Sequence, residues 1–274
     1  MKEDQKMKQE EIRKSVRDRY GEIAKTGGSC CLPKASCCGG SPSVETISMG
    51  IGYSAEDLKS VPEGANLGLG CGNPVALASL REGEVVIDLG SGAGFDCFLA
   101  AKAVGEKGRV IGVDMTPEML DQAKINARKG AYGNVEFRLG EIENLPIADN
   151  TGDIVISNCV INLSPDKERV FRETFRVLKP GGRLMVSDIV LLKPLPEAVK
   201  ASLEAYIGCI AGASMKDDYL NSIGKAGFQD IRIIDESLLH LKDFLNHPTF
   251  PMPDLESVKA VSVVSIKVSA KKPD

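Results

Sequence analysis

Between residues 84 and 190, short apolar runs alternate with longer amphipathic stretches. EVVIDL (84–89), RVIGVD (109–114), VEFRL (135–139), DIVIS (153–157) and RLMVSDIV (183–190) read as strands. GFDCFLAAKAV (94–104), the stretch from Thr116–Pro117 to about Lys129, and that from Ser164–Pro165 to about Leu178 read as helices, the last stopped by Gly181 and Gly182. This alternation with short connections predicts an α/β fold, a mostly parallel central sheet with helices on both faces. Beyond it, helices at about 196–211 and 215–226, the second opened by Ser214 and Asp217, and strands at about 229–234 and 259–268 predict a small α+β part. Upstream, Ser54 and Asp57 have the spacing of a helix start, and Asn73–Pro74 that of a cap and first helical position. Ile12, Val16, Tyr20 and Ile23 recur at helical spacing within a highly charged arm. Residues 26–43, TGGSCCLPKASCCGGSPS, have no periodicity and read as a loop. No internal repeat is present. The expected organisation is an arm and Cys-rich loop over 1–53, the regular α/β domain over 54–192, and a helix-and-strand region over 193–274.

Composition narrows the function classes. With 43% hydrophobic and 26% charged residues the chain is an ordinary globular one, and its net charge of −4 gives no electrostatic reason for a nucleic-acid partner. No apolar run approaches the ~18 residues of a membrane helix. The N-terminus, MKEDQKMKQEEIRK, lacks a signal peptide's apolar segment, so the expected location is cytoplasmic and the eight cysteines are expected to be thiols. The two histidines, His240 and His247, lie far from every other chemical motif, which argues against a histidine triad or a His-rich metal site.

The first strand runs into VVIDLGSGAG (85–94), a glycine turn at the carboxyl end of a strand, where open α/β sheets bind ligands. Its spacing is G-x-G-x-G over Gly90, Gly92 and Gly94, not the dinucleotide G-x-G-x-x-G, which disfavours a nicotinamide cofactor. Asp88 precedes the turn, and Asp114 closes the next strand, where an acid can take both hydroxyls of a ribose. Together with MTPEML (115–120) and GEIENLP (140–146), these residues resemble the class I S-adenosylmethionine-dependent methyltransferases, over about residues 80–190. The resemblance implies a Rossmann-like fold. It places Gly90, Ser91, Gly92 and Gly94 along the methionine part of the cofactor, Asp114 on the ribose, Met115 on the adenine face, and Ile142 and Glu143 at the adenine edge. Asn158, after the fourth strand, joins this set. Asp88 either contacts the cofactor's ammonium or holds the turn.

Cysteine supplies the second theme. Cys97 lies among Phe95, Phe98 and Leu99 and reads as core. Cys71 in GLGCGNP (68–74) and Cys209 in YIGCIAGA (206–213) have glycine neighbours, and Cys159 in SNCVINLSPDK (157–167) follows the fourth strand, facing the cofactor crevice. These segments resemble the arsenite S-adenosylmethionine methyltransferases over most of residues 20–230. That resemblance implies trivalent arsenic bound by Cys71, Cys159 and Cys209, with a further N-terminal cysteine in binding or thiol exchange. Cys30, Cys31, Cys37 and Cys38 are the candidates for the last role, with the first pair, and Cys31 in particular, favoured. A structural zinc site there is disfavoured because adjacent cysteines chelate one ion awkwardly, whereas a glycine-flanked thiol relay remains open. The chemistry is consistent. Arsenic is soft and selects thiolates, and its lone pair needs no base to uncover it, in keeping with the scarcity of histidine. The resemblance implies arsenite and methylarsenite as substrates, S-adenosylmethionine as methyl donor, and a thioredoxin- or glutathione-type reductant. A quinone-type carbon methyltransferase and a non-enzymatic arsenical-binding protein are the alternatives.

Overall fold

The computed structural model describes residues 2–26, 43–239 and 261–274. Cys30, Cys31, Cys37, Cys38, His240 and His247 lie outside these residues. Four helices come first: α1 (Lys2–Thr26), α2 (Val44–Gly50), α3 (Ala55–Ser60) and α4 (Pro74–Leu77). Then follow β1 (Val85–Leu89), α5 (Phe95–Val104), β2 (Arg109–Asp114), α6 (Pro117–Lys129), β3 (Val135–Leu139) and β4 (Gly152–Asn158). A 3-10 turn (Ile161–Leu163) leads to α7 (Lys167–Val177), β5 (Leu178–Leu191), α8 (Glu197–Lys200), α9 (Leu203–Ile207), α10 (Lys216–Lys225), β6 (Gln229–Leu239) and β7 (Val263–Lys271).

The strands form one sheet in the order β3-β2-β1-β4-β5-β7-β6. All pairings from β3 to β5 are parallel, and β7 runs antiparallel between β5 and β6. The strand order, running outward one way from β1 to β3 and the other way from β4 to β5, therefore reverses between β1 and β4, the switch point at which the strand ends open a crevice. Ile87, Leu89, Ile111, Val155 and Val186 are fully buried because both faces of their strands are covered by helices. Each such side chain contributes about 1.5–3 kcal/mol by leaving water.

The predicted α/β frame is present, with local differences. Ser54 and Asp57 do form a reciprocal capping box. Thr116 makes no side-chain cap; its N–H instead donates to Asp114 Oδ1 at 2.8 Å. The helix expected from Ser164 begins at Lys167, capped by Asp166, which accepts from the Arg169 N–H at 3.0 Å. Gly181 and Gly182 lie inside β5 rather than before it. The helix expected at 196–211 is two short pieces: Ser202 Oγ accepts from Ala205 N–H and starts α9 anew, and the chain turns at Cys209. β6 runs past the expected 234 to Leu239. Among the described residues no helix is long and apolar enough to cross a membrane.

The charged arm is a helix with a narrow apolar stripe. Val16 packs among Cys159, Leu163 and Cys209, and Ile23 packs with Leu67, Ala93 and Met119. Lys25 pairs with Glu118 at 2.9 Å. Helix α1 thus runs from the thiols to the helix that follows β2.

Candidate active site

The turn after β1 is built by backbone that bends the left-handed way. Gly90 has φ +66°. A Cβ there would also lie 2.4 Å from Val160 Cγ2, so no other residue fits. The N–H groups of Gly90 and Ser91 donate to the Val113 carbonyl at 2.8 and 3.0 Å. Gly92 donates to Asp114 Oδ2 at 2.9 Å, so the two oxygens of this buried carboxylate join the turn to the start of α6. Ser91 Oγ is buried without a hydrogen-bond partner and lines the crevice. A buried hydroxyl of this kind is uncommon, and in the crevice wall it is open to a ligand.

Three carboxyls crowd this end of the sheet. Burial and the charge of Asp96 push Asp88 well above the ordinary carboxylate range, and the Cys97 thiol donates to Asp88 Oδ2 at 3.1 Å. Burial raises Asp96 to about 6, against the opposing effect of hydrogen bonds from Tyr53 and Asn158. Burial also raises Asp114, opposed by the N–H groups of Thr116 and Gly92. A cation in the crevice relieves all three. Tyr53 Oη donates to Asp96 Oδ1 at 2.6 Å. The Asn158 side chain spans the gap to the thiol loop: its Oδ1 accepts from the Cys71 N–H at 3.0 Å, and its Nδ2 lies 3.0 Å from Asp96 Oδ2.

The thiols meet beside this crevice. The Cys71 and Cys159 sulfurs and an Asp188 oxygen all lie within 4.8 Å of one another. Cys209 joins them through the backbone, its thiol donating to the Cys159 carbonyl at 3.0 Å. Cys159 follows β4, Cys209 follows α9, and Cys71 is on the loop before α4, so three separate elements converge. Both Cys159 (φ +59°) and Cys209 (φ +64°) have left-handed backbone, where a residue with a Cβ is uncommon. The Cys71 loop packs tightly, since a Cβ on Gly72 would lie 2.0 Å from Ser187 Oγ. The hydrogen bonds that the Cys159 thiol donates towards Cys209 and Cys71, with burial, push it well up; burial raises the Cys71 thiol. The Cys71 and Cys159 thiols are therefore held in their protonated form, and a thiophilic cation binding them displaces protons.

Sequence reasoning named most of these residues but not all of their settings. Met115, Ile142, Glu143 and Asn158 do line the crevice. Glu143, however, is engaged: it accepts from Ser164 Oγ at 2.7 Å and faces Arg13 of α1 at 3.4 Å. Cys97 is fully buried, as expected of core. Tyr53, Asp96 and Asp188 were missed. Asp188 is buried and accepts from Tyr219 Oη, Asn162 Nδ2 and the Ile189 N–H, and burial raises it to about 7. A charged residue inside an apolar strand, and an acid inside an apolar helix, were the available signals for Asp188 and Asp96.

A family model described as a methyltransferase domain matches residues 80–227. With the sheet order and glycine turn, this defines a class I S-adenosylmethionine methyltransferase fold. The arsenite methyltransferase of Halobacterium salinarum is 48% identical over 272 residues, covering 96% of this chain and 67% of that protein. The crystal structure of CrArsM, an arsenic(III) S-adenosylmethionine methyltransferase from Chlamydomonas reinhardtii, superposes with a TM-score of 0.65 at 36% identity, covering 85% of this chain and 75% of that one. The chain belongs to the arsenite methyltransferase family. It spans about two thirds of the length of the curated relatives it matches. A quinone-biosynthesis C-methyltransferase of Klebsiella pneumoniae is 38% identical over 130 residues, covering 47% of this chain and 51% of that protein.

Proposed function

We propose that the chain transfers a methyl group from S-adenosylmethionine to trivalent arsenic held by Cys71, Cys159 and Cys209, with arsenite and methylarsenite as substrates and detoxification as the outcome. The observation that carries this reading is the convergence of three thiols from separate elements beside the glycine-turn crevice. The crevice fits the methyl donor on its own chemistry. Ser91 Oγ lacks a partner, the space beside Gly92 is open for 4 Å, and three buried carboxyls favour a cation. When bound, the donor presents a methyl group on a positively charged sulfur, which the lone pair of arsenic can take with no base required.

The chain's own residues supply position. Asp114 takes the ribose hydroxyls while bracing the turn, Gly90, Ser91, Gly92 and Gly94 leave room for the methionine part, and Met115 and Ile142 flank the adenine. Cys71, Cys159 and Cys209 hold the arsenic with its lone pair aimed at the crevice, and holding it there contributes more than any proton transfer. Transfer leaves the arsenic two electrons more oxidised, so a thiol reductant, one dithiol of the thioredoxin type or two thiols of the glutathione type, restores the trivalent state and leaves as disulfide. An N-terminal cysteine such as Cys31 serves delivery or thiol exchange, and the setting is the reducing cytoplasm. The quinone-type alternative leaves the thiol cluster without a use.

The test is turnover. Purified protein given arsenite, thiols and S-adenosylmethionine is expected to yield methylated arsenicals, and Cys159→Ser and Cys209→Ser to yield none, since oxygen is a poor ligand for a soft centre. Folded protein without product overturns the reading.

A further inference from the structure

Resting on the methyl-transfer reading, we infer that Asn158 is a positioning residue that couples the methyl-donor crevice to the arsenic-binding thiol loop. The Asn158 side chain is consumed by protein partners. Its Oδ1 accepts from the Cys71 N–H at 3.0 Å. Its Nδ2 lies 2.8 Å from the Gly72 carbonyl, 2.8 Å from Tyr53 Oη and 3.0 Å from Asp96 Oδ2. An amide nitrogen has two hydrogens, so three acceptors compete for them. Which acceptors win depends on how the third is occupied.

That third acceptor faces the donor site. Asp96 lines the crevice together with Asp88, at the start of the helix that follows the glycine turn. Tyr53 Oη already donates to Asp96 Oδ1 at 2.6 Å. A cationic ligand in the crevice engages the same carboxylate and changes its demand on Asn158. The amide hydrogens then redistribute between Asp96 and the Gly72 carbonyl, and the loop carrying Cys71 responds. Contact is direct as well as polar, since a Cβ on Gly70 would lie 2.6 Å from Asn158 Nδ2.

The other polar ties of Cys71 lead elsewhere. Its thiol donates to the Ser187 carbonyl at 3.5 Å, and its carbonyl accepts from Ser265 Oγ at 3.0 Å, both on the sheet. Ser265 therefore anchors the same loop without touching the crevice. By linkage, a donor that favours the arsenic-competent loop is itself bound more tightly when arsenic is present.

The experiment measures arsenite affinity of the full chain with and without saturating sinefungin, an analogue with an amine in place of the methylated sulfonium. Wild type is expected to bind arsenite at least about fivefold more tightly with the analogue present, the low end of ordinary coupling between sites. Asn158→Ala is expected to bring that ratio close to one. Ser265→Ala is expected to weaken arsenite in both conditions and keep the wild-type ratio, which separates coupling from general loosening of the loop. If Asn158→Ala does not fold, Asn158→Asp serves, because it keeps an acceptor for Cys71 but sets a carboxylate against Asp96; its ratio is also expected near one. A wild-type ratio near one, or a folded Asn158 variant that keeps the wild-type ratio, overturns the inference. Wild type that binds neither arsenite nor analogue overturns the methyl-transfer reading instead.

Discussion

Removing the Asp114 carboxylate tests whether one group both braces the turn and binds the donor. Its oxygens accept the N–H groups of Gly92 at 2.9 Å and Thr116 at 2.8 Å, within a buried setting. Asp114→Ala leaves both donors unsatisfied, and each such loss costs about 1–3 kcal/mol. The folded state should therefore lose about 2–6 kcal/mol, reduced where water enters the space left behind. The lost charge-assisted bond to a ribose hydroxyl adds about 1.5–3 kcal/mol to binding, a loss of affinity of roughly ten- to a hundredfold. Asp114→Asn separates the two effects. One amide oxygen still accepts from one N–H, while the amide nitrogen opposes the other, so part of the stability returns without the charge. Titration calorimetry with S-adenosylhomocysteine and thermal unfolding read both quantities. Asp114→Asn with wild-type affinity would remove Asp114 from the donor site and leave it a brace for the turn alone. Wild-type stability and affinity in Asp114→Ala would refute the reasoning entirely.

Arsenite offers three positions for thiolates and methylarsenite two, so Cys71→Ser is expected to slow the first methylation strongly and the second much less; equal slowing in initial-rate assays would make Cys71 structural. Burial raises Asp188 to about 7 and Asp96 to about 6, so the folded chain keeps protons that the unfolded chain has released. Stability from these groups is complete below the ordinary carboxylate range near 4 and is lost as pH rises through 6 to 7. Asp188→Asn should thus gain on wild type between about pH 4 and about pH 7 in urea unfolding, and a constant difference would refute this assignment.

What the sequence made legible follows from what repeats. Strands β1, β2 and β4 are apolar on both faces, β1 runs into Gly90 and β2 ends in Asp114, which makes the parallel frame and the crevice legible in the sequence. Cys71, Cys159 and Cys209 stood out through their glycine neighbours or their place at a strand end. The rest depended on contacts between segments far apart in sequence. Tyr53 reads as the residue before a helix cap, and only packing reveals that it donates to Asp96, 43 positions on. Asp96 reads as an ordinary acid in the first turn of a helix, and Asn158, named with the cofactor set, shows its ties to Cys71, Gly72 and Tyr53 only in the fold. The break between α8 and α9 escaped because Leu203, Ala205 and Tyr206 continue a helical pattern across Ser202, whose hydroxyl restarts the helix.

The left-handed backbone at Cys159 and Cys209 sets fold and chemistry against each other. An L-residue in that region costs about 1–2 kcal/mol, which glycine avoids. Backbone strain alone would choose glycine at both positions, against the packing each sulfur makes in the core beside Val16 and Leu163, and choosing it would erase two of the three thiols. A redesign scored on backbone geometry alone would strip the proposed arsenic site here first. The two positions are places where relief of strain would report a loss of purpose.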